Sequence, residues 1–270
     1  MGEKLQEHDT GLGLVCGLTC YGIWGVSPLY WNLLRDVSPF EIMINRMLWC
    51  AVTMGIVVLI AGKWRAAMTA FTTRRVVLTL FATAVLISVN WAIYIWSVES
   101  RQLVEASLGY FINPLVVLVM GVFLLGEKMS PSRWLSVALG IFAVGVQTYA
   151  LGHFPWIAVV LGVDFAIYGY LRKIVRAGAM EGLFVESALC LPVTVGFLSL
   201  WLWQGTSALG RDLHIDMLLI LTGPVTAAPL AFFAAAAQRL RFSTVGFLQY
   251  LAPIIRSEEH TSELQSRGLI

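Results

Sequence analysis

Several polar side chains that could bind a solute lie inside long apolar stretches of this chain. Asn90 and Tyr94 are four residues apart, and Ser107, Tyr110 and Asn113 recur at spacings of three. Each spacing places its side chains on one face of a helix. Two consecutive helices with such faces predict a polar pathway through the membrane. The alternative is that these groups join neighbouring helices, as small and polar residues do in packed membrane helices.

A cation and an amide extend the candidate solute-binding set. Arg46 lies about seven residues into its apolar stretch, where a guanidinium can bind a carboxylate or phosphate through two parallel hydrogen bonds. The alternatives are an ion pair with Glu41 or Asp36, or extension of the long side chain toward the membrane surface. Gln249, in a later stretch, repeats the polar character of the pathway.

Asp164 lies in the middle of another apolar stretch. An aspartate anion at that depth is strongly destabilising, so burial favours the protonated form and allows a proton to bind and leave. Asp164 is therefore the candidate proton-coupling residue. The alternative is a protonated or hydrogen-bonded aspartate that holds two parts of the molecule together.

The elements that position these residues are nine apolar stretches separated by short polar loops. A chain that is 58% hydrophobic and 13% charged, with a mean hydropathy of +0.78, lacks the polar surface of a soluble protein. The first eight stretches are long enough to cross a bilayer as helices, whereas the ninth is too short. The prediction is an all-α polytopic membrane protein with spans near residues 12–34, 39–61, 76–98, 103–125, 133–151, 154–171, 182–204, 215–237 and 243–255.

Lysine and arginine are unevenly divided between the two sets of loops. Counting from Lys4, twelve cations lie in the N-terminal segment and in the loops after the even-numbered stretches, against three in the other loops, at Arg35, Arg101 and Arg211. Cationic loops resist translocation. The N-terminus is therefore predicted to be cytoplasmic.

Other classes of function have little support. The four cysteines show no CxxC motif and no metal-ligand spacing with histidine, so we expect neither a metal nor another cofactor. A phosphate-binding loop and the motifs HExxH and DxxD are absent from the sequence, and nothing indicates nucleic-acid binding. The chain is predicted not to be an enzyme. The competing class is an intramembrane lipid-modifying enzyme that uses Asp164, Glu105 and His153.

Two pairs of similar segments suggest internal duplication. Residues 106–111, ASLGYF, resemble STVGFL 137 positions later, and YGIWG at 21–25 resembles FAIYG 144 positions later. A duplicated unit of five spans enters the membrane from opposite sides in its two copies. We therefore expect a first repeat over residues 1–151 and an incomplete second repeat over 152–255.

The sequence also resembles a known family. The segment NWAIYIW at 90–96, followed by EASLGYFINPL at 105–115 and closed by Gly126-Glu127, is similar to the RarD group of EamA-type permeases in the drug/metabolite transporter superfamily. Further similarity extends over residues 11–255. The resemblance implies ten helices in two inverted halves, in the bacterial inner membrane, and a permease linked by its group name to chloramphenicol sensitivity. The chain departs from this pattern in lacking a tenth helix.

The end of the chain has a different character. Residues 256–266, RSEEHTSELQS, resemble the in-frame translation of a common sequencing-adapter oligonucleotide. We interpret residues 256–270 as a non-native tail.

These features together predict a secondary transporter that moves a small organic solute, metabolite or drug across the inner membrane by alternating access. The expected partners are that solute and the lipid bilayer, with coupled protons and a homodimer as further candidates. The alternatives are the intramembrane enzyme and a truncated membrane protein that does not transport.

Overall fold

The computed structural model describes residues 2–252, with side chains from residue 9 onward except that of residue 103. The predicted tail at 256–270 and the end of the ninth stretch lie outside these residues. The described part folds into helices connected by short loops: α1 (Gly2–Asn32), α2 (Pro39–Ile60), α3 (Trp64–Thr72), α4 (Arg74–Glu99), α5 (Leu103–Leu125), α6 (Pro131–Leu151), α7 (Trp156–Ile174), α8 (Ala179–Leu189), α9 (Leu191–Gln204), α10 (Leu213–Arg239) and α11 (Phe242–Leu248).

Six of the described helices are long and apolar enough to cross a membrane, and they are α1, α2, α4, α5, α6 and α10. The pair α8 and α9, bent by 46°, makes a seventh if it counts as one span. Helix α7 has 19 residues but carries Asp164, Arg172 and Lys173. The all-helical polytopic class predicted from the sequence is confirmed.

The structure differs from the predicted spans at two places. A short helix, α3, occupies a predicted loop and buries Ala67 and Ala70, which are three residues apart on one face. The predicted span 182–204 is interrupted at Cys190. Pro192 has no N–H to donate to the preceding turn, so the helix ends and a new one begins with proline in its first turn.

The helices pack in a pattern that relates the first part of the chain to the second. Helix α1 packs on α10, and α7 packs on α4; α2 packs on both α8 and α10, and α5 packs on both α7 and α11. At the α5–α7 contact, a Cβ added to Gly162 would lie 3.1 Å from the backbone nitrogen of Asn113. The absence of a side chain there lets the two backbones approach closely.

The interior and the exterior of this bundle are both apolar. Tyr168, Phe233 and Phe242 are among the largest fully buried side chains, and the rings of Tyr168 and Phe233 stack with centroids 5.9 Å apart. Many large apolar side chains are exposed, among them Phe123 and Phe142. Exposed apolar surface of this extent is expected for helices that face lipid.

Candidate functional site

The guanidinium of Arg46 lies between the rings of two tryptophans. Its central carbon is 3.7 Å from the ring centroid of Trp91 on α4 and 4.8 Å from that of Trp31 on α1. Its Nε donates a hydrogen bond of 3.2 Å to Thr226 Oγ1 on α10. Three helices therefore fix the position of a cation whose own residue belongs to α2.

The ion pairs considered for Arg46 do not form. Glu41 accepts hydrogen bonds from Ser207 Oγ and Ala208 N, each 2.7 Å long, and Asp36 pairs with Arg35 at 3.9 Å. Within residues 9–252, no carboxylate oxygen lies within 4.0 Å of the Arg46 guanidinium. Its two terminal nitrogens also make no hydrogen bond to the described residues, so the fork that recognises planar anions is available to a ligand.

Aromatic side chains extend the site beyond Arg46. The rings of Tyr94 on α4 and Tyr110 on α5 meet edge to face with centroids 6.4 Å apart. Tyr110 is close enough to Arg46 to interact with it electrostatically. The arrangement combines one cation with apolar ring faces, which suits a ligand that has an anionic group and an apolar body.

A small cavity begins beside Trp91. Its volume of about 20 Å³ is enough for one water molecule. Four helices and the break after α8 enclose it, and its walls are Met47, Cys50, Ile87, Trp91, Leu183, Glu186, Ser187, Cys190 and Leu230.

Glu186 provides the carboxylate of this cavity. Its Oε2 accepts a hydrogen bond of 2.6 Å from Thr83 Oγ1 on α4 and lies 3.5 Å from Arg172 Nη1 on α7. Its Oε1 accepts a hydrogen bond of 3.2 Å from Tyr168 OH. Glu186 is 2% exposed and Arg172 is fully buried, so this polar group is isolated from solvent.

The cavity walls come in pairs that share a spacing in the sequence. Two of the pairs are 140 positions apart and the third is 143 apart, and both members of each pair line the same small space. They are Met47 with Ser187, Cys50 with Cys190, and Ile87 with Leu230.

The same two spacings relate Arg46 and Glu186 and the hydroxyl groups that they contact. Arg46 and Glu186 are 140 positions apart, and their hydroxyl partners Thr83 and Thr226 are 143 apart. Arg46 contacts Thr226 on α10, whereas Glu186 contacts Thr83 on α4. Sequence reasoning missed Glu186, although its spacing from Arg46 was a signal that could have identified it.

The predicted polar pathway divides into two kinds of residue. Asn90 Nδ2 donates to Leu161 O at 3.1 Å, and Asn113 Nδ2 donates to Gly162 O at 2.7 Å, so both amides attach their helices to α7. Ser107 is exposed and bonds to the carbonyl of its own helix at Val104. Tyr94 and Tyr110 are the members of the set that come together near Arg46.

The remaining candidates lie away from the cavity walls. Asp164 is 8% exposed, and its Oδ2 has no hydrogen-bond partner among the described residues. Gln249, 7% exposed at the end of α11, has neither amide atom hydrogen-bonded within the described part of the chain.

Comparison with known proteins identifies the family. The profile of the EamA-like transporter family matches residues 11–149. The chain is 42% identical over 253 residues to Protein RarD of Streptomyces exfoliatus, covering 93% of this chain and 80% of that protein. It is 40% identical over 252 residues to Protein RarD of Escherichia coli strain K12, covering 93% and 85%. An uncharacterized transporter of Vibrio cholerae is 36% identical over 250 residues, covering 92% and 82%.

A similar fold is known from crystallography. One crystal structure superposes with a TM-score of 0.68 at 16% sequence identity and covers 96% of this chain and 89% of that one. At this identity the likeness concerns the fold. Taken with the sequence matches and the apolar helices, it leads to one conclusion: this multi-pass membrane protein belongs to the EamA-like transporter family and is a relative of the RarD proteins.

Proposed function

We propose that this protein is a secondary carrier that binds a small organic anion at Arg46 and moves it across the bacterial inner membrane by alternating access. The observation on which the proposal rests is the Arg46 guanidinium, which is held by Trp31, Trp91 and Thr226 and has no carboxylate partner within the described residues.

A charged side chain in the apolar layer of a membrane has a high free-energy cost. A guanidinium inside the apolar layer is destabilising unless other groups compensate its charge. The two indole faces compensate part of it by cation–π attraction. A carboxylate or phosphate on the free terminal nitrogens supplies the rest, and the neighbouring aromatic rings accommodate an apolar body. A substrate with both features therefore complements the site.

The alternating mechanism rests on two inverted halves, over residues 1–151 and 152–255. The paired walls of the cavity support this division, because equivalent residues of the two halves face each other across it. Carriers of inverted-repeat architecture bind their substrates between the halves and expose that site to each side in turn.

The orientation follows from the loop charges, and we propose a cytoplasmic N-terminus. Asp164 remains a candidate for proton coupling because its carboxyl is buried with one oxygen free of hydrogen bonds to the described residues. Asn90, Ser107, Asn113 and Gln249 remain candidates for contact with substrate in other states of the carrier. A homodimer is a further candidate.

Binding to the purified protein tests the Arg46 site. Benzoate and phenyl phosphate, which combine an anion with an aromatic ring, are titrated calorimetrically. Replacing Arg46 by alanine is expected to weaken binding by about 2 kcal/mol, or roughly 30-fold. Lysine at this position is expected to restore only part of the lost affinity, because it cannot form the planar fork. Arg101→Ala, at an exposed loop residue, is the matched control.

Transport is tested with the same probes. Proteoliposomes loaded with unlabelled benzoate or phenyl phosphate are expected to take up the labelled compound by exchange, and Arg46→Ala is expected to abolish that exchange. Arg46-independent binding and exchange of both compounds, or the absence of exchange in the wild type, would overturn the proposal.

A further inference from the structure

We propose that Glu186 is a proton-binding site of this carrier, in the position of the second half that corresponds to Arg46 in the first. The inference rests on the proposed transport function for its role in coupling. The binding of a proton at Glu186 is independent of that function and is tested separately.

The Glu186 carboxylate is isolated from solvent. Glu186 is 2% exposed, and two hydroxyls, from Thr83 and Tyr168, reach its oxygens. A carboxylate anion in such surroundings needs a compensating positive charge, which either a neighbouring cation or a bound proton supplies. The charge of the Glu186 carboxylate is therefore compensated either by a neighbouring cation or by a bound proton.

Arg172, the cation beside Glu186, forms a loose ion pair with it. Arg172 approaches Glu186 through Nη1 alone, at 3.5 Å, and its Nη2 donates instead to Ala179 O at 2.9 Å. Its Nε and Nη1 make no hydrogen bond within the described residues. A close bidentate pair would hold the carboxylate as an anion. The loose pair seen here lets a proton compete with Arg172.

Several other side chains lie around Glu186. On α2, Cys50 interacts with it electrostatically, as does Cys190 at the helix break. Helix α10 contributes the apolar Leu230 to the same cavity. The next ion pair along α8 joins Glu181 to Lys63 at 3.3 Å. These neighbours leave Arg172 as the cation in ion-pair contact with Glu186.

Trp91 and the cavity that it lines connect Glu186 to the anion site at Arg46. Both Glu186 and Trp91 line the cavity of about 20 Å³, and Trp91 also stacks on the Arg46 guanidinium. Glu186 also lies one turn before the break at Cys190, and interrupted helices near the bilayer centre are typical ion sites of carriers.

The chemistry is a proton transfer in which atoms and total charge balance, and it leaves the buried Arg172 as an unpaired cation. A hydronium ion gives its proton to the Glu186 carboxylate, which becomes a carboxylic acid, and water is released. Arg172 then loses its anionic partner, so the contact between α7 and α8 weakens. An organic anion bound at Arg46 and a proton bound at Glu186 together add no net charge to the carrier.

Infrared spectroscopy tests proton binding without any substrate. In difference spectra of the protein in lipid vesicles between low and high pH, a protonated carboxyl gives a C=O stretching band that disappears on deprotonation. We expect Glu186→Gln to remove one such band and Asp164→Asn to retain it. Glu186→Asp, which keeps an acid, should shift the band and serves if the glutamine variant fails to fold. Loss of no band in either Glu186 variant would overturn the inference.

A transport measurement tests coupling. Phenyl phosphate accumulation driven by a pH gradient is divided by phenyl phosphate counterflow without a gradient, so that general loss of activity cancels. Glu186→Gln is expected to lower this ratio by about tenfold or more, whereas Glu99→Gln, at the exposed end of α4, should not. An unchanged ratio would overturn the coupling role. Absence of wild-type exchange would instead overturn the proposed function and leave the infrared result standing.

Discussion

At the residue scale, the charges of Arg46 and Glu186 are stabilised in different ways. Arg46 is compensated by the faces of two indoles and one hydroxyl, and Glu186 by two hydroxyls and a guanidinium nitrogen 3.5 Å away. Neither arrangement neutralises its charge as fully as a close ion pair would. Incomplete compensation in an apolar environment is what makes a site bind an external charge.

The hydrogen bond from Thr83 to Glu186 is expected to stabilise the fold. Thr83→Val keeps the side-chain shape but removes the donor that is 2.6 Å from Glu186 Oε2. The free energy of unfolding should fall by about 1–3 kcal/mol because a buried carboxyl loses a partner. Denaturant titration in detergent measures this.

Thr79→Val is the matched control for that measurement. Thr79 lies one turn earlier on α4, is partly exposed, and bonds to Arg75 O of its own helix. We expect its effect to stay within about 0.5 kcal/mol. Equal losses in the two variants would contradict a specific contribution from the Glu186 contact.

How far the candidate site could be predicted depends on what periodicity reports. The spacings placed Tyr94 and Tyr110 on polar helical faces, and in the structure their rings meet with centroids 6.4 Å apart, with Tyr110 close enough to Arg46 to interact with it electrostatically. Spacing gives the face of a helix but not its neighbour. Asn90 and Asn113 therefore turned out to bond to carbonyls of α7, which no local pattern specifies.

At the element scale, long apolar runs predicted the spanning helices to within a few residues. The predicted stretch 39–61 corresponds to α2, and 103–125 to α5. The break at Cys190 was missed because an apolar run on both sides of Pro192 resembles one continuous span. Such a break depends on a single missing backbone donor, which average hydropathy does not register.

Helix α7 begins against the carboxylate of a neighbouring helix. Glu105 Oε1 accepts a hydrogen bond of 2.9 Å from Ile157 N in the first turn of α7, where backbone donors lack partners within their own helix. Glu105→Ala should lower the free energy of unfolding by about 1–2 kcal/mol, and Glu105→Gln by less because it keeps an acceptor. Glu99→Ala, at the exposed end of α4, is the control, and an equal loss there would refute the capping role.

Close packing of α5 on α7 predicts a different response at two helical glycines. In Gly162→Ala the new methyl would lie 2.9 Å from Ile112 Cγ2 and 3.1 Å from Asn113 N, so we expect a loss of about 1–3 kcal/mol. Gly196 on α9 has no such neighbour within 4 Å. Gly196→Ala should leave stability unchanged or raise it by up to about 1 kcal/mol, since alanine favours helix. Thermal unfolding in detergent compares the two, and a destabilised Gly196 variant would contradict this account.

At the scale of the whole molecule, contacts join helices of the proposed first repeat to helices of the proposed second repeat. Contacts of α1 with α10 are matched by contacts of α7 with α4, and the cavity lies where α2 meets α8. In the proposed division into two repeats, residues 140 or 143 positions apart are equivalent, and three such pairs line the cavity. The hydropathy pattern alone could not reveal this, because it records the length of spans and not their partners.

The membrane orientation can be measured on intact cells. Ser100→Cys, at the exposed junction of α4 and α5, and Thr72→Cys, at the exposed end of α3, lie on opposite sides in the proposed topology. The twelve-to-three division of loop cations predicts that a membrane-impermeant maleimide labels Ser100→Cys directly and Thr72→Cys only after the membrane is opened. The wild type provides the background, because Cys16, Cys20 and Cys50 are buried and Cys190 is partly buried. The opposite labelling pattern would place the N-terminus outside and overturn the proposed orientation.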